Sequence, residues 1–169
     1  AEKTGFEGVE IHGAHGYILA QFLSGTVNKR QDQFGGSIEN RMRPITEIID
    51  GIRARCRKDF LLGLRLSPER FDVHLPDIIE VAQAVLYAGK IDFLDMSLWD
   101  SFKEPEDEAF KGRTLLSYFS ELERGEVALG IAGKLRNPDE VRQAMEADID
   151  FIILGRAAIL HHDFPLQME

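Results

Sequence analysis

Five short runs rich in apolar residues recur along the chain, and segments with helical spacing separate them. The runs are GVEIHG at 8–13, LLGLRLS at 61–67, IDFLDMSL at 91–98, VALGIAG at 127–133 and FIILG at 151–155. Because nearly continuous apolar strands that alternate with helices are typical of a parallel sheet covered by helices, the alternation predicts an α/β fold. Beyond this alternation we see no internal repeat.

The segments between the strands carry the spacing and the end signals of amphipathic helices. Helical patterns run over 37–59, 75–89, 113–125 and 136–148, with a further helical turn expected at Ile18–Leu23. Pro76 and Pro138 stand in first turns, where a missing amide hydrogen does no harm. Asn137 is the expected N-cap of the last of these helices. The chain length is that of one domain, which we assign to residues 1–169.

Two architectures fit this pattern, an open doubly wound sheet and a (β/α)₈ barrel. A doubly wound sheet concentrates its site at one switch point after a glycine-rich first turn, and no G-x-G-x-x-G is present. Polar residues or glycines instead follow all five strands, which favours a barrel because its active site is built from all its loops. A full barrel needs eight strands and about 250 residues. With five strands, and a start that reads as the end of a helix, the chain is expected to be the C-terminal part of an incomplete barrel.

Charge and cysteine content narrow the expected partners and compartment. The formal net charge of −9 argues against a nucleic-acid partner, since phosphates would be repelled. No apolar run reaches the roughly 20 residues that cross a bilayer, and no secretory leader is visible, so neither a membrane partner nor secretion is expected. The single cysteine, Cys56, cannot form an internal disulfide, which indicates a reducing cytoplasmic setting.

The segment HGAHGY places His12 and His15 three residues apart at the end of the first strand, with Tyr17 just beyond. A metal-dependent hydrolase is one hypothesis, but zinc needs three or four ligands and no third is evident. A hydrogen-bonded strand-end histidine beside a solvated loop histidine is the second. The third is that both imidazoles donate N–H groups to a carbonyl oxygen while Tyr17 delivers a proton.

Three cations stand in or directly after strands. Arg65 lies among apolar residues of the second strand, where a guanidinium needs a partner. An ion pair with Glu10 on the neighbouring strand and a contact with an anion or an electron-rich cofactor edge explain it equally well. The last two strands end in Gly133–Lys134 and Gly155–Arg156, and loops after the last two strands of a barrel frequently bind phosphate.

The segment GFEGVEIHGAHGYILAQFLSGTVNKRQDQFGGSIENRMRP resembles the central signature of the old yellow enzyme family, the FMN-dependent NAD(P)H:enone oxidoreductases. LRLSP, DFLDMS and ILGRAAI followed by DFP resemble later segments of that family in the same order. Gly25 and Phe34 depart from the family pattern in ways that concern loop rigidity more than chemistry. Pro44 stands where an aromatic residue is common.

The resemblance implies an ene-reductase whose barrel carries FMN, with this chain supplying about strands four to eight. His12 and His15 match the pair that binds the oxygen of an α,β-unsaturated carbonyl. Tyr17 matches the tyrosine that protonates the substrate α-carbon after hydride, taken from NADH or NADPH by way of FMN, has reached the β-carbon.

The same resemblance assigns the cofactor contacts. Arg65 matches the arginine beside the N1/O2 edge of the flavin, where it stabilises charge on the reduced ring. Gly133, Gly155 and Arg156 match the turns that hold the flavin phosphate, a site in which Lys134 is expected to add charge.

An alternative from another class is a catalytically silent half-barrel or assembly partner. Five parallel strands leave two apolar sheet edges, and such edges favour pairing with another strand. The expected partner is a second copy of the chain, giving a homo-oligomer, or the missing N-terminal half-barrel.

Overall fold

In a computed structural model that describes residues 1–168, the five predicted strands form one parallel sheet. The strands are β1 (Gly8–Gly13), β2 (Leu61–Leu66), β3 (Phe93–Ser97), β4 (Ala128–Ala132) and β5 (Phe151–Ile152). Their order is β1-β2-β3-β4-β5, and every neighbouring pair is parallel. Each strand thus pairs with the next along the chain, as in a (β/α)₈ barrel, whereas a doubly wound sheet reverses its strand order. The prediction of a partial barrel is confirmed.

Helices follow every strand, as the spacing predicts, although most are shorter than the patterns suggest. They are α1 (Ile18–Leu23), α2 (Ile38–Arg53), α3 (Leu75–Ala88), α4 (Leu115–Ser120), α5 (Pro138–Ala144) and α6 (Arg156–Leu160), with short 3₁₀ turns at Glu2–Thr4, Glu108–Phe110 and Phe164–Met168. Asn137 caps α5 as predicted, because its side-chain oxygen accepts the Glu140 N–H at 3.0 Å. Pro44 lies inside α2, in its second turn. No helix formed by residues 1–168 is both long enough and apolar enough to cross a membrane.

Alternate strand residues divide the sheet into an apolar face and a polar face. The helices bury one set, which comprises Leu62, Leu64, Leu66, Leu94, Met96, Leu129 and Ile131. The intervening residues point to the opposite, concave face, since side chains alternate along a strand. That face carries charge at Glu10, Arg65 and Asp95, so the polar chemistry of the fold is concentrated on the inside of the partial barrel.

The sheet has two free edges among the described residues. Among residues 1–168, β1 pairs only with β2 and β5 only with β4. Leu61, at the start of β2, is 50% exposed although it belongs to a strand with neighbours on both sides. The five strands therefore form one part of a barrel wall and leave its interior accessible from the side.

Two aspartates at the N-terminal end of the sheet accept backbone N–H groups of the neighbouring strand in the same way. The Asp92 carboxylate accepts the N–H of Leu62 at 2.6 Å, and the Asp150 carboxylate accepts that of Leu129 at 2.7 Å. Each aspartate belongs to an Ile-Asp-Phe sequence, at 91–93 and at 149–151. These tripeptides are a short structural repeat that the sequence analysis did not identify.

The phenylalanine of each tripeptide covers a glycine on the preceding strand. A Cβ atom built on Gly63 lies 2.1 Å from the Phe93 ring, and one built on Gly130 lies 2.2 Å from the Phe151 ring. The two rings meet edge to face, with centroids 5.9 Å apart. Aromatic rings and glycines together therefore fill the interior near the N-terminal end of the strands.

Gly63→Ala is expected to lower the free energy of unfolding by about 1–3 kcal/mol, because the new methyl group displaces the Phe93 ring that packs directly on Gly63. Chemical denaturation measures the change. Gly25→Ala is the matched control, since a Cβ there lies at an ordinary 3.5 Å from the Arg41 guanidinium and should alter stability by less than about 0.5 kcal/mol. Equal denaturation midpoints for the two variants would contradict the assigned packing.

Candidate active site

The turn after β1 brings three aromatic side chains together at the C-terminal edge of the sheet. The ring centroids of His12 and His15 lie 5.2 Å apart, and those of His12 and Tyr17 lie 5.5 Å apart. Tyr17 is the N-cap residue of α1, and 64% of its surface is exposed. The three residues singled out from HGAHGY therefore form one cluster whose phenol remains accessible.

The backbone of this turn depends on glycine. His15 and Gly16 have φ angles of 58° and 74°, in the left-handed region where glycine is at no disadvantage. A Cβ on Gly16 would also lie 3.1 Å from Cβ of Phe71 in the loop after β2. The His15 ring meets Phe71 edge to face, with centroids 6.0 Å apart. A side chain at residue 16 would therefore disturb the cluster.

Two serines from neighbouring strand ends hold His15. Its backbone N–H donates to the Ser67 hydroxyl at 3.2 Å, and its ring Nε2 lies 2.8 Å from the Ser97 hydroxyl. Burial, and then the positive charge of Arg65, lower the pKa of His15 below its ordinary value. The ring is therefore a neutral imidazole at neutral pH, with one nitrogen as donor and the other as acceptor.

Arg65 pairs with Asp95, so the ion pair with Glu10, one of the two explanations that the sequence left open, is wrong. Arg65 is in register with Asp95 on β3, and its Nε lies 3.0 Å from the Asp95 carboxylate. Glu10 is in register with Gly63 instead. It thus lies two residues, or roughly 7 Å, farther down the strand than Arg65. Arg65 pairs with Asp95 because the two residues lie directly opposite each other on neighbouring strands.

The Asp95 carboxyl group is almost completely buried, at 2% exposure. Burial raises its pKa to about 7, against the lowering effect of Arg65 and with a small upward contribution from Glu10. Its Oδ1 atom has no hydrogen-bond partner among the described residues, and neither has the Arg65 Nε, because its contact with Oδ2 lacks hydrogen-bond geometry. Asp95 was not identified from the sequence, although alternation in FLDMS places it on the same face as Ser97.

A cavity of about 290 Å³ lies beside this cluster at the C-terminal ends of β2 to β5. All five predicted cofactor residues line it: Arg65, Gly133, Lys134, Gly155 and Arg156. Arg136 adds a fourth cation, and no carboxylate contributes to the wall in the described part of the chain. Although the whole chain is acidic, this cavity concentrates positive charge and is suited to an anionic ligand.

The cations that line the cavity differ in how far neighbouring carboxylates neutralise their charge. The Lys134 ammonium lies 2.8 Å from the Asp100 carboxylate, which neutralises part of its charge. Arg156 begins α6 and forms no ion pair with any of residues 1–168. A Cβ built on Gly155 would have no atom within 4 Å. Gly155 and Arg156 therefore offer the most open approach to a phosphate.

Loops with unusual backbone surround the site. Six non-glycine residues among residues 1–168 have positive φ angles: His15, Arg70, Phe71, Asp72, Trp99 and Lys134. All six lie in loops that follow strands, at the end of the sheet that bears the cavity. Strained backbone of this kind concentrates at functional sites.

Trp99 is a cavity residue that the sequence analysis did not assign to the site. It lines the cavity, and the Arg70 guanidinium lies over its ring, 4.0 Å from the centroid. In the sequence Trp99 belongs to a WD dipeptide that begins two residues after the end of β3. Its position after a barrel strand was the signal that could have identified it.

The cavity fits the FMN that the resemblance implies. The cations and the open space at Gly155 suit the phosphate, and the Arg65 guanidinium in the wall suits an electron-rich ring edge. A metal site has less support, because no group of three His, Cys, Asp or Glu side chains able to hold an ion occurs in residues 1–168.

Comparison with known proteins gives consistent matches along the chain. Residues 1–169 match the model of the NADH:flavin oxidoreductase / NADH oxidase family. A cinnamate reductase of Clostridium sporogenes is 32% identical over 98% of this chain and 28% of its own length. An NADH-dependent flavin oxidoreductase of Talaromyces variabilis is 33% identical over 98% of this chain and 44% of its own length.

A solved structure shares the fold. The complex of 2-naphthoyl-CoA reductase with 2-naphthoyl-CoA superposes with a TM-score of 0.71 at 28% identity, over 89% of this chain and 24% of that one. The chain thus spans less than half the length of each of these three relatives.

Proposed function

Because the chain belongs to the NADH:flavin oxidoreductase / NADH oxidase family, we propose that it carries the substrate site and the phosphate site of an FMN-dependent ene-reductase. When bound, FMN supplies hydride transfer from NADH or NADPH to the C=C bond of an α,β-unsaturated carbonyl compound. The proposal places this protein in the cytoplasm, in keeping with its single cysteine.

The observation that carries this proposal is that the histidine–tyrosine cluster and the cationic cavity meet at Ser97, beside Arg65. Arg65 and Ser97 line the cavity, and Ser97 is also hydrogen-bonded to His15. A cofactor in the cavity and a carbonyl compound at the histidines would therefore lie side by side. Hydride transfer requires contact of this kind between the reacting atoms.

His12 and His15 act on the carbonyl oxygen in this proposal. Each imidazole can donate an N–H, and two such donors stabilise the negative charge that develops on the oxygen as the β-carbon is reduced. The Arg65 guanidinium adds positive charge from the adjacent strand.

Tyr17 completes the reaction. Its ring lies beside that of His12 in an exposed residue, and its hydroxyl donates a proton to the substrate α-carbon. The tyrosine oxygen left behind is reprotonated from solvent, which its exposure permits.

The remaining cavity residues hold the cofactor. Gly133, Gly155 and Arg156 receive the phosphate, with a weaker contribution from Lys134 because of its pairing with Asp100. Arg65 stabilises negative charge at the edge of the flavin ring.

A silent half-barrel or assembly partner is the second candidate, and the open sheet supports it. Strands β1 and β5 each have one free edge among the described residues. A second copy, or an N-terminal half-barrel, would cover these edges.

A titration with FMN tests the proposed function. Added to the full chain, FMN should show a shifted absorption spectrum, and the loaded protein should oxidise NADH or NADPH when 2-cyclohexenone is present. Riboflavin, which lacks the phosphate, should bind at least about tenfold more weakly, because one hydrogen bond to a charged group contributes roughly 1.5–3 kcal/mol.

The opposite outcome separates the two candidates. A protein that neither shifts the flavin spectrum nor oxidises NAD(P)H contradicts the ene-reductase. If light scattering then shows a stable flavin-free oligomer, the assembly partner is favoured.

A further inference from the structure

We propose that Ser97 is a positioning residue that fixes the tautomer of His15 and couples this ring to Arg65. The inference rests on the proposed function for its catalytic meaning. Its structural content, which nitrogen of His15 carries the proton, can be tested without turnover.

The Ser97 hydroxyl stands between two groups from different strand ends. It lies 2.8 Å from His15 Nε2 and 3.4 Å from an Arg65 terminal nitrogen. Arg65 is held in turn by the buried Asp95 carboxyl group. A continuous chain of contacts thus runs from Asp95 through Arg65 and Ser97 to His15.

The proton positions along this chain follow from what each group can donate. A guanidinium has donors only, so Ser97 Oγ is the acceptor of the Arg65 N–H. The one hydroxyl proton of Ser97 then needs an acceptor, and among the described residues His15 Nε2 is the other polar atom in reach. Ser97 therefore donates to Nε2, and the ring proton of the neutral His15 is on Nδ1.

The surroundings of His15 favour this neutral, single-donor form. The charged or titratable groups that face it are Arg65 from β2 and His12 from β1, and both oppose protonation of the ring. The Ser67 hydroxyl binds the backbone N–H of His15 and does not touch the ring. Among these neighbours, only Ser97 hydrogen-bonds to a ring nitrogen, so it alone can determine which of the two nitrogens carries the proton.

The catalytic meaning follows from the position of the remaining proton. With Nε2 occupied by Ser97, Nδ1–H is the donor that His15 can offer to a carbonyl oxygen. Ser97 also binds Arg65. A ligand in the cavity that moves the guanidinium would therefore change the hydrogen bonds of the Ser97 hydroxyl group and, through them, affect the ring of His15. The residue therefore joins the cofactor side of the site to the substrate side.

Nitrogen-15 NMR of the full chain tests the assignment. Long-range proton–nitrogen correlations, recorded at about pH 8.5 where histidine is neutral, show which ring nitrogen is protonated, and the His15→Gln variant identifies the signal. We expect Nδ1–H in the unmodified chain and a shift toward Nε2–H in Ser97→Ala.

Matched variants isolate the hydroxyl. Ser97→Thr keeps the donor and should keep Nδ1–H, while Ser67→Ala removes only the backbone contact and should leave the ring unchanged. If Ser97→Ala does not fold, Ser97→Cys provides the weaker thiol donor for the same comparison. Nε2–H in the unmodified chain, or no change in the Ser97 variants that lose the hydroxyl, would overturn the inference.

A kinetic measurement separates this inference from the proposed function. With FMN bound, Ser97→Ala should lower kcat/KM for 2-cyclohexenone about tenfold, roughly the loss expected when one hydrogen bond is removed. A tautomer change in a protein without enone turnover contradicts the function and supports the role of Ser97. Enone turnover with an unchanged tautomer supports the function and contradicts the role of Ser97.

Discussion

Tyr17→Phe is expected to lower kcat for enone reduction by about 100- to 10,000-fold, the range in which a positioned general acid contributes to a rate. The change removes one hydroxyl group and leaves the ring beside His12 in place. FMN binding and the oxidation of NADH or NADPH by bound flavin should be unchanged, because Tyr17 does not line the cationic cavity.

Stopped-flow absorbance separates the two half-reactions. Reduction of the flavin by NAD(P)H should proceed at the unmodified rate, and reoxidation by 2-cyclohexenone should carry the whole loss. Tyr87→Phe is the matched control, since Tyr87 is an exposed residue of α3 and takes no part in the cluster. Reoxidation of the Tyr17 variant at the unmodified rate would show that another group donates the proton.

The histidine–tyrosine cluster could be predicted because it is built from one short segment. Residues 12–17 lie within a single turn, and the left-handed backbone at His15 and Gly16 folds the segment on itself. A local sequence therefore specifies a local geometry. The same is true of the strand–helix alternation, whose apolar periods are visible along the chain.

Contacts between distant strands could not be predicted in the same way. Arg65 has carboxylates on both neighbouring strands, and only the register shows that Asp95 lies opposite it while Glu10 lies two residues lower. Register depends on how every strand packs with its neighbours, which no short stretch of sequence encodes. The Ser97 bridge to His15 spans 82 residues of sequence and was missed for the same reason.

The end of α2 shows tertiary structure overriding a local pattern. Helical spacing continues to residue 59, but the helix ends at Arg53. The Arg53 side chain donates to the backbone oxygens of Lys90 and Phe60 and to the Asp92 carboxylate. These bonds fix the end of α2 against the N-terminal ends of β2 and β3, and they lie outside what helix propensity describes.

Arg65→Met is expected to lower the free energy of unfolding by about 3–5 kcal/mol at about pH 9, because it leaves a buried carboxylate without its cation. Asp95 is 2% exposed, and Arg65 opposes the rise of its pKa to about 7. Without Arg65 that pKa rises further. At about pH 6 the carboxyl group is then neutral in the variant, and the loss of stability should be smaller.

The sign of this pH dependence follows from proton binding. Because the pKa of Asp95 is higher in the folded state than in the unfolded chain, the folded state binds the proton more tightly, and stability falls as pH rises between the two values. A higher pKa of Asp95 in the folded Arg65→Met variant extends this decrease in stability to higher pH. Urea denaturation at both pH values measures it, and adding Asp95→Asn to the Arg65 variant should remove the pH-dependent part. An equal loss at both pH values would mean that Arg65 stabilises the fold by packing alone, without countering the buried charge of Asp95.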